Sequence, residues 1–549
     1  MIDAMLSIRL GSWLLLAMVI ALGACKGDTG EPGPEGPPGE PGPPGETPGP
    51  EIEPEINGLV GRIVEPNLVP VAGGIVYLVP ATDVAALSET PIDLFSSPQD
   101  TATDTVDEPI EDLIDADDGT YDQAEVDASG VYRFETLPDG SYFVVWMPQE
   151  DDSQHLPGGD SSSVSFDTAS LVGMQLDIRV SSRPSDAATY VGSSTCMVCH
   201  GLQSTARTAH MVGMQVPGVR SIMQDVEPWP RFDDGLANFE AGTNLFYFNC
   251  ETSPSTPADP SSCSVTDSNP GAGAFEFELD LRRDSSKPPG VIGAYFVEMV
   301  KDATTVRYDV VLTYGGALSK QQYLMRRTNG DGSFSYFVLP LQYNYRGDFD
   351  NESPEDWPWR DYRSDLWCDF VGNVLIDRNA PANDPGLNND PAFNQESFDN
   401  NCAGCHMTGF RLDGSDTDGW SARAIVDSGG AFDYDGDGKP ELINTGCEAC
   451  HGPGSDHLER SPRGSYIVSP GSLTPGRRAA LCGSCHSRPL GIGAGETGLP
   501  LSVNNEMPPV GIRRREFASL YTTRVSGAPE DFYVSVDSRA NYQQYSDHI

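Results

Sequence analysis

Four times in this chain of 549 residues, two cysteines separated by two residues are followed at once by histidine. The segments are Cys196-Met197-Val198-Cys199-His200, Cys402-Ala403-Gly404-Cys405-His406, Cys447-Glu448-Ala449-Cys450-His451 and Cys482-Gly483-Ser484-Cys485-His486. At the cysteine and histidine frequencies of the chain, chance supplies about 0.004 such matches, so the pattern needs a chemical reason. One helical turn separates the two thiols of each segment. Each thiol can then form a thioether to one vinyl group of a porphyrin while the next imidazole reaches the iron. Paired C-x-x-C knuckles also build tetrahedral zinc sites, but zinc has no need of a histidine after every second cysteine. The spacing predicts four covalently bound haem c groups, with His200, His406, His451 and His486 as their first axial ligands.

A second axial histidine closes a haem iron for electron transfer, whereas an open position admits a substrate. The chain has eight histidines, which leaves His155, His210, His457 and His548 for that duty. His155 lies in an acidic stretch and reads as a surface residue. Met211, Met214 and Met407 are the methionines nearest the haem segments, though such methionines are more often core side chains. Three further features are read from residue types. Cys250 and Cys263 bracket a loop rich in Pro, Ser and Asp and are expected to form a disulfide, and Cys368 is left as a buried thiol. Asp433, Asp435 and Asp437 match the start of a calcium loop, but position twelve is Asn444 rather than Glu. Trp357, Trp359 and Trp367 read as packing residues rather than redox relays.

The surroundings of the haem segments carry a family resemblance. Residues 447–457, C-E-A-C-H-G-P-G-S-D-H, closely resemble a segment of multihaem c-type cytochromes, including the cytochrome c-552/4 family. Residues 401–410 and 482–488 look like neighbouring haem segments of that group, and residues 321–324 and 339–344 resemble its haem-free stretch. The resemblance spans residue 190 to the end of the sequence and implies distal ligation by His457 and by His210. His548 is a further candidate. It lies in residues 542–548, which resemble a segment that in this group usually precedes another C-x-x-C-H, whereas this sequence ends at Ile549.

The elements that must position this chemistry follow from the rest of the chain. Residues 10–22 are apolar over a signal-peptide length, and Leu22-Gly23-Ala24-Cys25 resembles the lipobox of bacterial lipoproteins, which implies lipidation of Cys25 after cleavage. Glycine then recurs every third residue from Gly27 to Gly45 among Pro and Glu. That collagen-like stalk either forms a homotrimer or, as a single polyproline-II strand at about 3.1 Å per residue, spans roughly 60 Å. Residues 57–183 alternate like short strands at 58–64, 72–78, 128–134 and 142–146, and resemble a carboxypeptidase-regulatory-like or Cna-B-like β-sandwich. An insertion at 83–127 is too polar to bury and reads as a loop. Between residues 212 and 401 no haem segment occurs, and alternation predicts strands at 274–281, 294–301 and 306–314.

The expected architecture is therefore multidomain. A signal peptide (1–25) and a stalk (26–56) precede the N-terminal β-sandwich (57–183). A multihaem cytochrome domain follows (184–549), with helices and loops around haems and a β-rich insertion. The formal charge is −47, which excludes ordinary electrostatic binding of nucleic acid. It is densest over 51–190, where 28 acidic side chains face 4 basic ones. Lipid anchor, stalk and haems together point to an exported protein on the outer membrane or cell surface, or in the periplasm. It would pass electrons to redox partner proteins or to an extracellular acceptor, as a carrier more than as an enzyme. The alternatives are an oxidoreductase of small nitrogen or sulfur oxyanions with one open haem, and a structural or adhesive surface protein.

Overall fold

Strand alternation in the sequence becomes two successive β-sandwiches in the computed structural model, which is mostly β-sheet with short helices. It describes residues 58–88, 109–159, 163–167, 173–201, 209–218, 235–250, 263–315, 320–344, 359–379, 390–462, 464–486, 490–492 and 499–523. Cys25, the glycine repeat, Trp357 and His548 lie outside these residues. Among the described residues no helix is long and apolar enough to cross a membrane.

The first sandwich uses β1 (Leu59–Val64), β2 (Ile75–Pro80), β3 (Asp122–Glu125), β4 (Val131–Phe134) and β5 (Gly140–Met147). Four short strands complete it, β7 (Gly158–Gly159), β8 (Val164–Phe166), β9 (Met174–Gln175) and β10 (Ile178–Arg179), while β6 (His155–Leu156) and β11 (Ser181–Ser182) pair with each other beside it. One sheet runs β10-β1-β4 with β9 also on β1, and the other runs β3-β2-β5-β7 with β8 on β5. Alternate residues of the strands meet between the sheets, among them Ile63, Val76, Tyr132 and Trp146. Gly61 is required where it stands, because a Cβ there would lie 1.8 Å from the Leu176 carbonyl oxygen.

The second sandwich occupies the stretch without C-x-x-C-H segments. Its strands are β12 (Met214–Gln215), β13 (Asn244–Phe248), β14 (Ser264–Thr266), β15 (Phe277–Arg283), β16 (Tyr295–Lys301), β17 (Thr304–Asp309), β18 (Leu312–Gly315), β19 (Lys320–Thr328), β20 (Phe334–Asn344) and β21 (Trp359–Asp361). The sheets are β14-β13-β15-β16-β17 and β12-β18-β19-β20-β21. The single strand expected at 306–314 is two strands. The chain leaves the first sheet after Asp309 and enters the second at Leu312, with Val310 and Val311 both buried at the crossing. Alternation of apolar and polar residues cannot by itself report such a change of sheet. Cys250 and Cys263 form the expected disulfide. Cys368 is a buried thiol, pushed up to about 11 by burial, and Trp359 and Trp367 are fully buried in this core.

Strands β18, β19 and β20 are covered on both faces. One face closes the second sandwich through Tyr323, Met325, Phe337 and Leu339. The other, through Leu312, Tyr314, Leu324 and Tyr336, packs on Phe398, Ala403 and Met407 around the second C-x-x-C-H segment. A sheet buried on both sides is a rigid seat for the residues it carries.

The acidic insertion is not the unburied loop its polarity predicts. Its described parts form a helix at Ala81–Ser88, a helix at Pro109–Asp115 and strand β3. Glu111 in the second helix is 1 % exposed. Its carboxylate accepts from Arg477 Nε at 2.9 Å and Nη2 at 2.8 Å, and from Thr474 Oγ1 at 2.6 Å. Arg477 Nη1 also donates to the Gly511 carbonyl, and Arg513 reaches Asp112 and Asp115. A bidentate guanidinium satisfies a buried carboxylate that composition alone marks as exposed. This pair joins the first sandwich to helix Pro475–His486, which carries the fourth C-x-x-C-H segment.

Breaking a buried ion pair from one side strands the other charge, at about 3–5 kcal/mol. Glu111→Ala is therefore expected to lower stability by about that amount in urea denaturation, whereas Asp115→Asn at the half-exposed rim should cost under about 1 kcal/mol. Equal, small effects of the two changes would contradict a locked interface.

Candidate functional site

Each C-x-x-C-H segment lies on a helical turn, as its spacing predicts. The turns belong to the helices Ser193–Cys199, Ala403–His406, Cys447–His451 and Pro475–His486. Three of these elements are too short to hold themselves as isolated helices. Their neighbours hold them instead.

The first and third turns share one anchor, Glu448. This side chain between Cys447 and Cys450 is 2 % exposed. Its Oε1 accepts from Val191 N at 2.9 Å and Gly454 N at 2.7 Å, and its Oε2 from Gly192 N at 2.8 Å. Hydrogen bonds to a charged acceptor contribute about 1.5–3 kcal/mol each, so Glu448 ties the entry of the first turn to the exit of the third. Ser193 Oγ accepts from Cys447 N, and Asp427 accepts from the hydroxyl and backbone of Ser194. The sequence names Glu448 only as part of a segment. A carboxylate beside glycines with free N–H groups was the available signal.

The second turn is held by the buried Asp399, three residues before Cys402. Its carboxylate accepts from Tyr336 N on β20, Ala422 N and Tyr434 Oη. Burial pushes its carboxyl up to about 7 against these bonds. Thr408 Oγ1 then accepts from Gly446 N and donates to the Asn444 carbonyl, joining the second turn to the start of the third.

The four turns form one contiguous file. Helix Ser193–Cys199 contacts helix Cys447–His451, and helix Pro475–His486 contacts Ala403–His406. The thiols of Cys196 and Cys447 face each other, as do those of Cys405 and Cys485. The Cys450 thiol is pushed up to about 11 by burial and by the nearby Cys485 and Cys482 thiols. The third turn thus adjoins each of the other three.

Two pairs of imidazoles face each other. The ring centroids of His200 and His457 are 6.4 Å apart with planes at 28°, and those of His210 and His486 are 6.0 Å apart at 79°. Metal–imidazole bonds of about 2.0 Å plus a ring radius of about 1.1 Å put two trans imidazoles about 6 Å apart across a metal. The residues present therefore fit an iron held between two histidines at both places. His457 and His210 each face the histidine of a C-x-x-C-H segment other than the one they follow.

Second bonds orient these rings. His451 Nδ1 meets the Val468 carbonyl at 2.7 Å and His457 Nδ1 meets the Ser465 carbonyl at 3.1 Å. A carbonyl only accepts, so each Nδ1 carries the proton and each Nε2 keeps its lone pair for a metal. Burial, then the facing His210, hold His486 below the usual imidazole range and favour its neutral, ligating form. His406 packs edge-on against Tyr314, with centroids 4.8 Å apart. Met214 and Met407 are core side chains.

His155 is not the surface residue its acidic neighbours predict. Its Nδ1 lies 2.8 Å from Asp152 Oδ2 and its Nε2 3.6 Å from the buried Glu65 Oε1. Two carboxylates and the edge of Trp146 enclose it.

The calcium expectation changes in its ligands. Asp433, Asp435, Asp437 and Glu441 bring carboxylate oxygens within 4.8 Å of one another. Glu441, 1 % exposed, is pushed up to about 7 by burial and by these three aspartates. Asn444 is not part of the cluster, since its amide bonds both N and O of Met214 on β12. Glu441 at position nine of the loop supplies the carboxylate that position twelve lacks.

No protein-family model, curated protein or solved structure matches this chain.

Proposed function

We propose that this protein is a tetrahaem c-type cytochrome that carries electrons at the cell envelope, anchored through Cys25 and raised on the glycine-repeat stalk. The observation that carries the reading is the pair of opposed imidazoles, His200 with His457 and His210 with His486, at the separation an iron requires. The contiguous file of turns adds to it, because electrons move between centres that are held close. Haem c, when bound, supplies a one-electron couple at iron. The chain supplies the rest. Cys196 and Cys199, and their counterparts in the other three turns, attach the porphyrin edge. His451 and His457 present Nε2 because Val468 and Ser465 hold their Nδ1 protons. Packing of the second turn on β18–β20 and of the fourth turn's helix on Glu111 of the first sandwich would tune the potentials of those centres. The surplus of acidic side chains favours cationic partners or metal-bearing acceptors.

One observation favours a second reading, an oxidoreductase of small nitrogen or sulfur oxyanions. Of eight histidines, two pairs face each other and His155 is engaged by Glu65 and Asp152, so His548 alone is left to serve as second ligand for the His406 and His451 centres. A structural or adhesive role accounts for the stalk and the first sandwich but not for the file of turns.

Electron paramagnetic resonance of the oxidised, haem-loaded protein tests these readings together. Near-parallel imidazole planes at His200 and His457 and near-perpendicular ones at His210 and His486 give different low-spin signals, and both are expected. High-spin haem that responds to nitrite or hydroxylamine would transfer the reading to the enzyme; absence of any haem signal would remove both.

Asp433, Asp435, Asp437 and Glu441 would hold calcium, whose ligands are hard oxygens of this kind. Added Ca2+ is then expected to raise the unfolding temperature relative to a chelator, by linkage. Glu441→Gln should abolish that shift, and an equal shift in the variant would exclude the loop.

A further inference from the structure

A continuous path of polar contacts runs from a proposed axial histidine into the first sandwich. His457 Nδ1 donates to the Ser465 carbonyl at 3.1 Å. The Ser465 hydroxyl donates to Glu65 Oε2 at the end of β1. Glu65 Oε1 then faces His155 Nε2 at 3.6 Å, and His155 Nδ1 bonds Asp152 Oδ2 at 2.8 Å. The sandwich grips the same loop elsewhere. Ser182 Oγ accepts from Tyr466 N at 2.7 Å, Ser181 Oγ accepts from Ser469 N at 2.8 Å, and Gly158 bridges Leu473.

One atom on this path lacks a bond. Glu65 is 2 % exposed, and its Oε1 is buried without a hydrogen-bond partner. The contact of 3.6 Å to His155 is an ion-pair distance, not a hydrogen bond. With Nδ1–H given to Asp152, a neutral His155 turns a bare Nε2 toward that oxygen. A proton on Nε2 gives Oε1 its donor. An unsatisfied buried acceptor that faces a titratable nitrogen marks a place where one proton is held in one state and absent in another.

We propose that Glu65, His155 and Asp152 form a proton-linked positioning cluster that acts through Ser465 on His457 and makes the redox equilibrium of the His200–His457 centre depend on pH. The inference rests on the haem reading of those two histidines. When one electron enters the centre from a one-electron donor, His155 takes one proton from solvent and an Nε2–H bond forms facing Glu65. When the electron leaves, that bond breaks and the proton returns to solvent. Charge thus balances, one negative against one positive. Protonation of the cluster favours the reduced centre, so the midpoint falls as pH rises. Glu65 and Asp152 are the titratable groups that face His155, and His155 is the one that faces Glu65. Burial works against the imidazolium, but the two carboxylates outweigh it and raise His155 above 6.5. Burial likewise works against the Glu65 carboxylate, and the nearby His155 imidazole with the hydroxyls of Ser182 and Ser465 outweighs it and holds it below 4.5. Glu65 therefore stays charged across the window in which His155 titrates.

The test is an optical redox titration of the full, haem-loaded chain from about pH 5 to about pH 9. Coupling between linked sites is ordinarily of the order of tenfold, which for one electron is about 59 mV. One low-spin component of the wild type is expected to shift by that amount. His155→Gln, which keeps polar groups in the pocket, and Ser465→Ala, which cuts the path, should both flatten it. A pH-independent wild type, or variants that shift as the wild type does, overturns the inference while leaving the haem reading intact. Absence of low-spin haem in the wild type overturns that reading and the inference with it. The His155 titration, followed by NMR in the oxidised and reduced wild type, needs no variant; it should lie higher in the reduced protein, and equal values contradict the proposal.

Discussion

Buried carboxylates are what hold the C-x-x-C-H turns of this protein in a fixed array. A turn of four to seven residues cannot hold its own shape in water, and each here ends in backbone N–H groups that need acceptors. Glu448 accepts from three flanking backbone N–H groups at once, Val191 and Gly192 before the first turn and Gly454 after the third, and so joins the two. Asp399 holds the approach to the second turn by accepting from Tyr336 N on β20 of the second sandwich and from Ala422 N on the short strand Gly419–Arg423. Glu111, from the far side of the chain, holds the helix of the fourth. Each of these side chains is almost fully buried, and each accepts several hydrogen bonds that offset its burial.

The consequence is that the two sandwiches are parts of the site rather than modules beside it. The second seats one turn on a sheet covered on both faces. The first reaches the loop of Ser465 to Ser469, and that loop in turn fixes the rings of His451 and His457. The first sandwich therefore grips the loop that orients two proposed axial ligands. Its acidic charge is spent partly on this contact, with Glu65, Glu111 and Asp112 turned inward.

The sequence makes the four turns, the strands and the disulfide legible because each has a local signature: fixed spacing, alternation of two, or paired cysteines around a polar loop. What it hides is contact between distant residues. Glu111 lies 366 positions from Arg477 and looks like one acid among many. His155 lies in an acidic stretch, and nothing local says that Glu65 is buried beside it. The strand expected at 306–314 hides a change of sheet because both halves alternate correctly. Asn444 stands at position twelve of the calcium-like loop where Glu is expected; its amide is taken by Met214 on β12, 230 residues away, and the carboxylate that joins the three aspartates is that of Glu441.

The most direct test of the account is the intact mass of the mature protein, expressed with haem-attachment machinery and measured under denaturing conditions. Thioether bonds survive unfolding, so four haem masses above the polypeptide are expected, one for each pair of cysteines. A polypeptide without covalent adducts, or one that loses only zinc on denaturation, would contradict the account at its root.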